Sequence, residues 1–314
     1  MTTLILIAIA GLAAQLVDGS LGMGFGVTST TILILLAGLG PAQASAVVHT
    51  AQLGTTLVSG FSHWKFGNVD WKVVVRLAIP GAIGAFVGAT FLANLSTAAA
   101  LPITGAILTA IGANLVWRFS RGRVRRTVGE QKYRRGFLGG LGLFGGFIDA
   151  SGGGGWGPVT TSTLLTAGRA EPRRIIGTVC TAEFLVAAAA TLGFAISMWE
   201  DLVANLAAVF ALLVGGVIAA PVAAWLVSRI NPTMLGGIVG TVLVLLNLPH
   251  VVGPLDLGNT VLWLLRGAVL VAGVILSVIG YRRAARNRAA AEEPVTGLES
   301  EPAESPDRVE QSAR

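Results

Sequence analysis

Two short runs carry residue types able to hold a charged solute. The first is Asp18-Gly19-Ser20-Leu21-Gly22-Met23-Gly24-Phe25-Gly26, and the second is Asp149-Ala150-Ser151-Gly152-Gly153-Gly154-Gly155-Trp156-Gly157. Each sets a carboxylate and a hydroxyl ahead of closely spaced glycines, then an aromatic. A hydroxyl cluster follows, Thr28-Ser29-Thr30-Thr31 or Thr160-Thr161-Ser162-Thr163. Glycine costs a helix interior ~1 kcal/mol relative to alanine, and Pro158 removes a backbone donor besides. Each run therefore predicts a break between two helical arms. A second arm starting at such a break presents free N–H groups, the positive end of a helix dipole and hydroxyl donors, which together suit an anion. The residues expected to bind it are Ser20, Gly22, Gly24, Thr28 and Thr30, with Ser151, Gly153, Gly155, Thr160 and Thr161. Asp18 and Asp149 are expected to be structural loop carboxylates, accepting from exposed N–H groups of their own loops as a cap does. An ionised carboxylate aimed at the site would repel an anion.

A second polar cluster follows each break at the same distance. His49, Thr50 and Gln52 align with Cys180, Thr181 and Glu183. Residues three apart share a helix face, so His49 can point with Gln52 and Cys180 with Glu183. Thr50 and Thr181 join the expected binding residues. Glu183 lies about nine residues beyond Arg174, ~14 Å along a helix, and an ionisable group at that depth in a membrane is a functional candidate. His49, Gln52 and Glu183 are the candidates for coupling to protons, with His49 able to titrate near neutrality. Cys180 is read as a small packing residue. One cysteine in the chain excludes a disulfide framework and a multi-cysteine metal site, so no metal and no cofactor is expected.

The elements positioning these residues come in two copies. A shift of 131 residues, Asp18 onto Asp149, superimposes the two glycine-rich runs without a gap. The same shift sets Thr30 on Thr161, Leu33 on Leu164, Pro41 on Pro172, Thr50 on Thr181 and Ala51 on Ala182. Chance similarity between apolar stretches would match Leu, Ala and Val; coincident Asp, Pro, Gly and Thr indicate an internal duplication.

Of the 314 residues 53% are hydrophobic and 12% charged, against roughly 25% charged in soluble domains. Uncharged stretches such as 77–117 and 202–228 exceed the ~20 residues that cross a bilayer. The chain therefore reads as an all-α integral membrane protein. Hydropathy places helical segments at 3–17, 26–39, 42–62, 73–93 and 98–118 in the first copy. The second copy has 136–148, 157–168, 174–198, 202–228 and 232–248, and an additional span follows at 259–281. The organisation is a first repeat over 1–118, a basic loop over 119–135, a second repeat over 136–248, an extra helix within 249–281 and a disordered tail over 282–314. The tail carries seven acidic residues and two arginines beyond 288; without them the net charge rises from +6 to +11. The remaining basic residues sit mostly in short loops and set orientation. No aromatic-interleaved basic stripe points to nucleic acid.

Eight basic residues in 118–135 place that loop in the cytoplasm, together with the tail after Arg282. Parity then requires 136–168 to enter and leave on one side as a re-entrant hairpin. Counting backward puts the N-terminus outside, so the two copies are expected to be related by inverted topology. The N-terminal run lacks the basic residues of a signal peptide and is read as structure. Paired helix breaks in inverted repeats are the sequence mark of a transporter's substrate site.

The runs DGSLGMGFGVTSTT, GPAQASAVVHTAQLGTTLVSG, FGNVDW and PGAIGAFVGATFLANL, with IDASGGGGWGPVTTSTLL and GTVCTAEF in the second copy, resemble the TauE/SafE sulfite exporter family across about residues 5–281. The resemblance implies a multi-pass bacterial inner-membrane permease exporting sulfite or organosulfur anions such as sulfoacetate by proton-linked transport. Its partners would be a small anion, lipid, protons and a possible second copy of the chain. A passive anion channel, or a permease for a different anion, is the alternative. A membrane-embedded enzyme using Cys180 or His49 with Glu183 is third: the sequence has no H-E-x-x-H, G-x-S-x-G or P-loop motif.

Overall fold

A computed structural model describes residues 2–21, 23–122, 132–167, 169–227 and 232–292. Gly22, most of the basic loop and the tail beyond 292 lie outside the described residues. Among the described residues all regular structure is helical. Helix α1 (Thr2–Leu21) and α2 (Phe25–Leu36) flank the first break; α3 (Pro41–Lys65), α4 (Trp71–Ala93) and α5 (Thr97–Ser120) follow. In the second copy α6 (Arg135–Gly152) precedes the break, and a π-helical turn (Gly157–Thr161) runs into α7 (Ser162–Ala167). Then come α8 (Pro172–Ser197), the short α9 (Trp199–Ala204), α10 (Leu206–Val227), α11 (Pro232–Val252) and α12 (Asn259–Glu292).

Both breaks fall at the glycine runs, later than hydropathy alone places them. The first arms, expected at 3–17 and 136–148, run on to Leu21 and Gly152, so Asp18 and Asp149 stand in their last turns. With 18 residues α6 is ~27 Å long, not the ~20 Å expected. It stops where Gly153 takes a left-handed φ of 71°, the usual helix C-terminal turn. The break itself is short, because Gly26 and Gly157 already belong to second arms. The segment expected as one span at 202–228 bends between α9 and α10 at Asn205. Helix α12 continues to Glu292, past the expected tail boundary at 281, because 282–292 is rich in Ala and Arg, both strong helix formers.

Among the described residues five helices are long and apolar enough to cross a membrane: Trp71–Ala93, Thr97–Ser120, Arg173–Ser197, Met234–Leu255 and Asn259–Asn287. Helix α3 has 25 residues but is less apolar, since it carries the buried polar side chains Ser45, His49 and Gln52 into the interior.

Four principal packing pairs are related by the duplication, α1 with α10, α4 with α6, α5 with α11 and α3 with α8; α4 packs closely on α8 as well. The 131-residue shift converts the first of the four into the second and each of the other two into itself, so corresponding elements make corresponding contacts. Apolar side chains gain little by leaving lipid for one another, so membrane helices associate through close backbone approach at small residues. A Cβ on Gly146 would lie 2.0 Å from the Gly81 carbonyl oxygen, and one on Gly84 2.1 Å from that of Leu143. In the corresponding pair a Cβ on Gly215 would lie 1.9 Å from the Ala8 carbonyl oxygen.

The same contacts give directions. Gly142 lies by Leu77 and Gly146 by Gly81, so α6 runs parallel to α4. Thr178 meets Asp70, Val186 meets Gly81 and Gly193 meets Ala89, so α8 is parallel to α4 as well. With α6 and α8 running the same way, the break and α7 between them lead the chain back. Gln52 against Glu183, Gly60 against Thr181 and His63 against Gly177 make α3 and α8 antiparallel.

Gly146→Ala should lower the midpoint of thermal unfolding in detergent, since overpacking a tight contact costs ~1–3 kcal/mol. Gly140→Ala, whose added carbon meets nothing within 4 Å, should leave the midpoint unchanged or raise it. Equal effects of the two would refute the close backbone contact.

Candidate functional site

A helix broken inside an apolar protein leaves its last carbonyls without helical partners. At α6 each of four carbonyls around the break finds a donor. Gly154 N–H donates to Asp149 O at 2.7 Å, the Ser45 hydroxyl of α3 to Ala150 O at 2.8 Å, and the Thr104 hydroxyl of α5 to Ser151 O at 3.3 Å. The Thr30 hydroxyl of α2 donates to Gly153 O. Thr30 belongs to the opposite copy, so the two breaks touch. Contact is so close that a Cβ on Gly154, whose φ is 143°, would sit 2.2 Å from Val27 N.

Both carboxylates accept from backbone amides beyond their own breaks. Asp18 accepts from Phe25 N–H at 3.3 Å and Asp149 from Trp156 N–H at 2.8 Å, equivalent bonds that cap both second arms. They also use up donors expected to face an anion.

Asp149 has a further partner. Its Oδ2 lies 3.1 Å from His49 Nε2, with both residues buried. His49 Nδ1 lies 2.8 Å from the Ser45 carbonyl oxygen. A carbonyl only accepts, so Nδ1 carries a hydrogen. Asp149 therefore has two partners, the Trp156 amide and the His49 ring.

At the crossing of α3 and α8, Gln52 donates through Nε2 to Glu183 Oε1 at 3.1 Å. These residues are each other's counterparts under the 131-residue shift, so equivalent positions of the two copies meet here. Both breaks and this pair enclose one small cavity, lined by Asp18, Gly24, Gln52, Asp149, Thr161 and Glu183 among others. Measured to the centre of a water-sized sphere it holds about 10 Å³, room for a single water.

Of the residues expected to bind substrate, Gly24, Gly155 and Thr161 line this cavity, and so does Cys180. Buried without a hydrogen-bond partner among the described residues are Gln52 Oε1 and the hydroxyls of Thr28, Ser29 and Thr161. Other expected ligands turn away. Thr50 and Thr181 bond back to Ala46 O and Gly177 O, each at 2.7 Å; Ser151 bonds to Phe147 O and Thr160 to Trp156 O. Hydroxyls on an apolar helix take the carbonyl four residues back when nothing better is in reach. Thr30 and Gly153 serve the contact between breaks. Gly22 and the Ser20 side chain lie outside what is described.

Three participants escape the sequence reading. Ser45 and Thr104 look like ordinary small residues of membrane helices. Arg118 looks like the first residue of the basic loop, yet its guanidinium turns inward to Ser162 Oγ and to the Met23 sulfur behind the first break.

A family model described as sulfite exporter TauE/SafE matches residues 7–249. The chain is 48% identical over 252 residues to a Bacillus subtilis (strain 168) protein named probable membrane transporter protein YtnM, covering 79% of this chain and 82% of that protein. No solved structure gives a significant match.

Asp149→Asn should destabilise the fold by ~3–5 kcal/mol, because it removes one partner of a buried pair. Asp18→Asn, which loses one charged hydrogen bond, should cost less, ~1.5–3 kcal/mol. Adding His49→Gln to Asp149→Asn should cost much less than the sum of the single changes. Denaturation in detergent measures all of these; additive effects would show that the pair is not coupled.

Proposed function

The chain belongs to the sulfite exporter TauE/SafE family of membrane transporters, and from that premise we propose that it exports small anions, sulfite or organosulfonates, by a proton-linked secondary mechanism. One observation carries the proposal: the two helix breaks and the Gln52–Glu183 pair close around a single cavity. Substrate sites of repeat transporters form at such meetings of discontinuous helices. The antiparallel crossing of α3 and α8, with equivalent residues face to face, supports an inverted relation between the copies. The parallel course of α6 and α8 supports a re-entrant hairpin between them. Lys72, Arg134, Arg135, Arg169 and Arg174 gather around one pocket. This supports a single cytoplasmic face for all of them, with the N-terminus outside.

Glu183 is the proposed proton carrier. Three carboxyl groups share the cavity, Asp18, Asp149 and Glu183, and two are already capping helix arms. Glu183 instead faces an amide, which has donors and an acceptor and so can bond either a protonated or an ionised carboxyl. Protonated Glu183 tolerates an anion beside it; ionised Glu183 repels the anion and drives release. The Thr161 hydroxyl, without a partner among the described residues, and the second-arm N–H groups supply donors. The cavity as it stands is too small for sulfite, so it corresponds to a closed state that must widen to load.

Tracer efflux from proteoliposomes loaded with sulfite, thiosulfate, sulfoacetate or sulfate tests this. Sulfite efflux should respond to an imposed pH gradient. Glu183→Gln should cut the gradient-driven rate at least ~100-fold, the lower end of the range for loss of a proton-transfer group. Transport of none of the four anions, or equal dependence on the gradient in the variant, would overturn the reading. Flux without any gradient dependence in the unmodified protein would identify a channel.

A further inference from the structure

Away from the central cavity, the entrances of α4, α6 and α8 surround a pocket of about 910 Å³. Seven Lys and Arg side chains line it, among them Lys72 and Arg76 of α4, Arg134 and Arg135 at α6, and Arg169 and Arg174 at α8. Among the described residues one acidic residue joins them, Asp70, and it is engaged: Oδ1 accepts from Lys72 N–H and Val73 N–H, and Oδ2 lies 3.8 Å from Arg174. Neither α6 nor α8 has a side-chain cap, so first-turn N–H groups add positive potential. The floor is apolar, formed by Leu138, Leu164 and Ile175. Positive loops are ordinary at a membrane surface, but cations on an ordinary loop spread into solvent rather than converging on a cavity.

The pocket has a neighbour. A groove of about 450 Å³ runs along α3, α4 and α8, lined by Phe61, Trp64, Val75, Ile79, Phe184 and Leu185 among others. Trp71 lines both the basic pocket and this groove. Trp71 is half exposed, as are Trp64 and Phe61 beside it, and aromatic side chains gather at the headgroup level of a bilayer. A cationic recess with room for a lipid headgroup thus adjoins an apolar channel that runs along α4 and α8.

We propose that the pocket and groove together bind one anionic glycerophospholipid, with its phosphate among the α4, α6 and α8 cations and an acyl chain along α4 and α8. The occupant follows from the two halves being joined. A free oxyanion would need only the pocket, and a zwitterionic lipid would not need its charge. Basic pockets between membrane helices bind lipid phosphates in this way. Because α4 and α8 pack on each other and on α3 and α6, the lipid would brace the helices that carry the second break and Glu183.

The test uses the full chain in detergent, with cardiolipin, phosphatidylcholine and inorganic pyrophosphate as probes and native mass spectrometry as the readout. Cardiolipin should be retained more tightly than phosphatidylcholine, and high salt should release it while leaving phosphatidylcholine retention unchanged. That comparison needs no variant. Lys72→Gln, Arg76→Gln and Arg134→Gln together should weaken cardiolipin roughly a hundredfold, about fivefold per charge. Val75→Trp, which fills the groove, should weaken cardiolipin but not pyrophosphate. Pyrophosphate binding as tightly as cardiolipin, cardiolipin retention indifferent to salt and charge, or a dimer with the groove covered by a second chain would each overturn the proposal.

Discussion

Lipid offers no hydrogen bonds, so a helix that stops inside a membrane protein must find partners for its own carbonyls within the protein. At the end of α6 those partners are the hydroxyls of Ser45, Thr104 and Thr30, with the Gly154 amide. They come from three different helices and from both halves of the chain. Satisfying one broken helix therefore ties α2, α3 and α5 to α6. The same requirement explains the carboxylates: Asp18 and Asp149 reach across seven residues to amides that a continuous helix would have paired.

Symmetry of the duplication separates structure from chemistry. Where the copies agree, at Asp18 and Asp149, at Thr50 and Thr181 and in the glycine contacts of α1 with α10 and α4 with α6, the residues hold the scaffold. Where they differ, buried chemistry becomes possible. His49 pairs with Asp149, while its counterpart Cys180 lines the cavity. Gln52 and Glu183 meet as an amide and an acid, although their positions are equivalent. The Thr30 hydroxyl is engaged with the opposite break, whereas that of Thr161 has no partner among the described residues. A perfectly symmetric pair of acids at 52 and 183 would face each other at close range and repel; substituting one by glutamine permits contact in either protonation state.

Glycine and aspartate at matched positions made the breaks legible in sequence, because their backbone and capping preferences are local. The duplication was legible for the same reason. The lengths of α1 and α6 were not: hydropathy falls at a carboxylate, but a capping Asp in a last helical turn is still helical. The bonds of Thr50 and Thr181 to carbonyls of their own helices were not legible, because a hydroxyl cannot reveal, without the fold, whether it points inward or back. The His49–Asp149 contact joins residues 100 apart in the chain, and no local pattern announces it. Arg118 was lost in a basic loop for want of any signal distinguishing an inward-turned guanidinium from its neighbours.

The central claim is that polar groups left free at the meeting of the two breaks hold the transported anion. Equilibrium binding of labelled sulfite to the purified protein, compared with its Thr161→Val variant, addresses this most directly, since the change removes one hydroxyl at almost constant volume. Affinity should fall about tenfold or more, the loss of a hydrogen bond to a charged group, with thermal stability little altered. Sulfite binding of undiminished affinity in the variant would place the anion elsewhere.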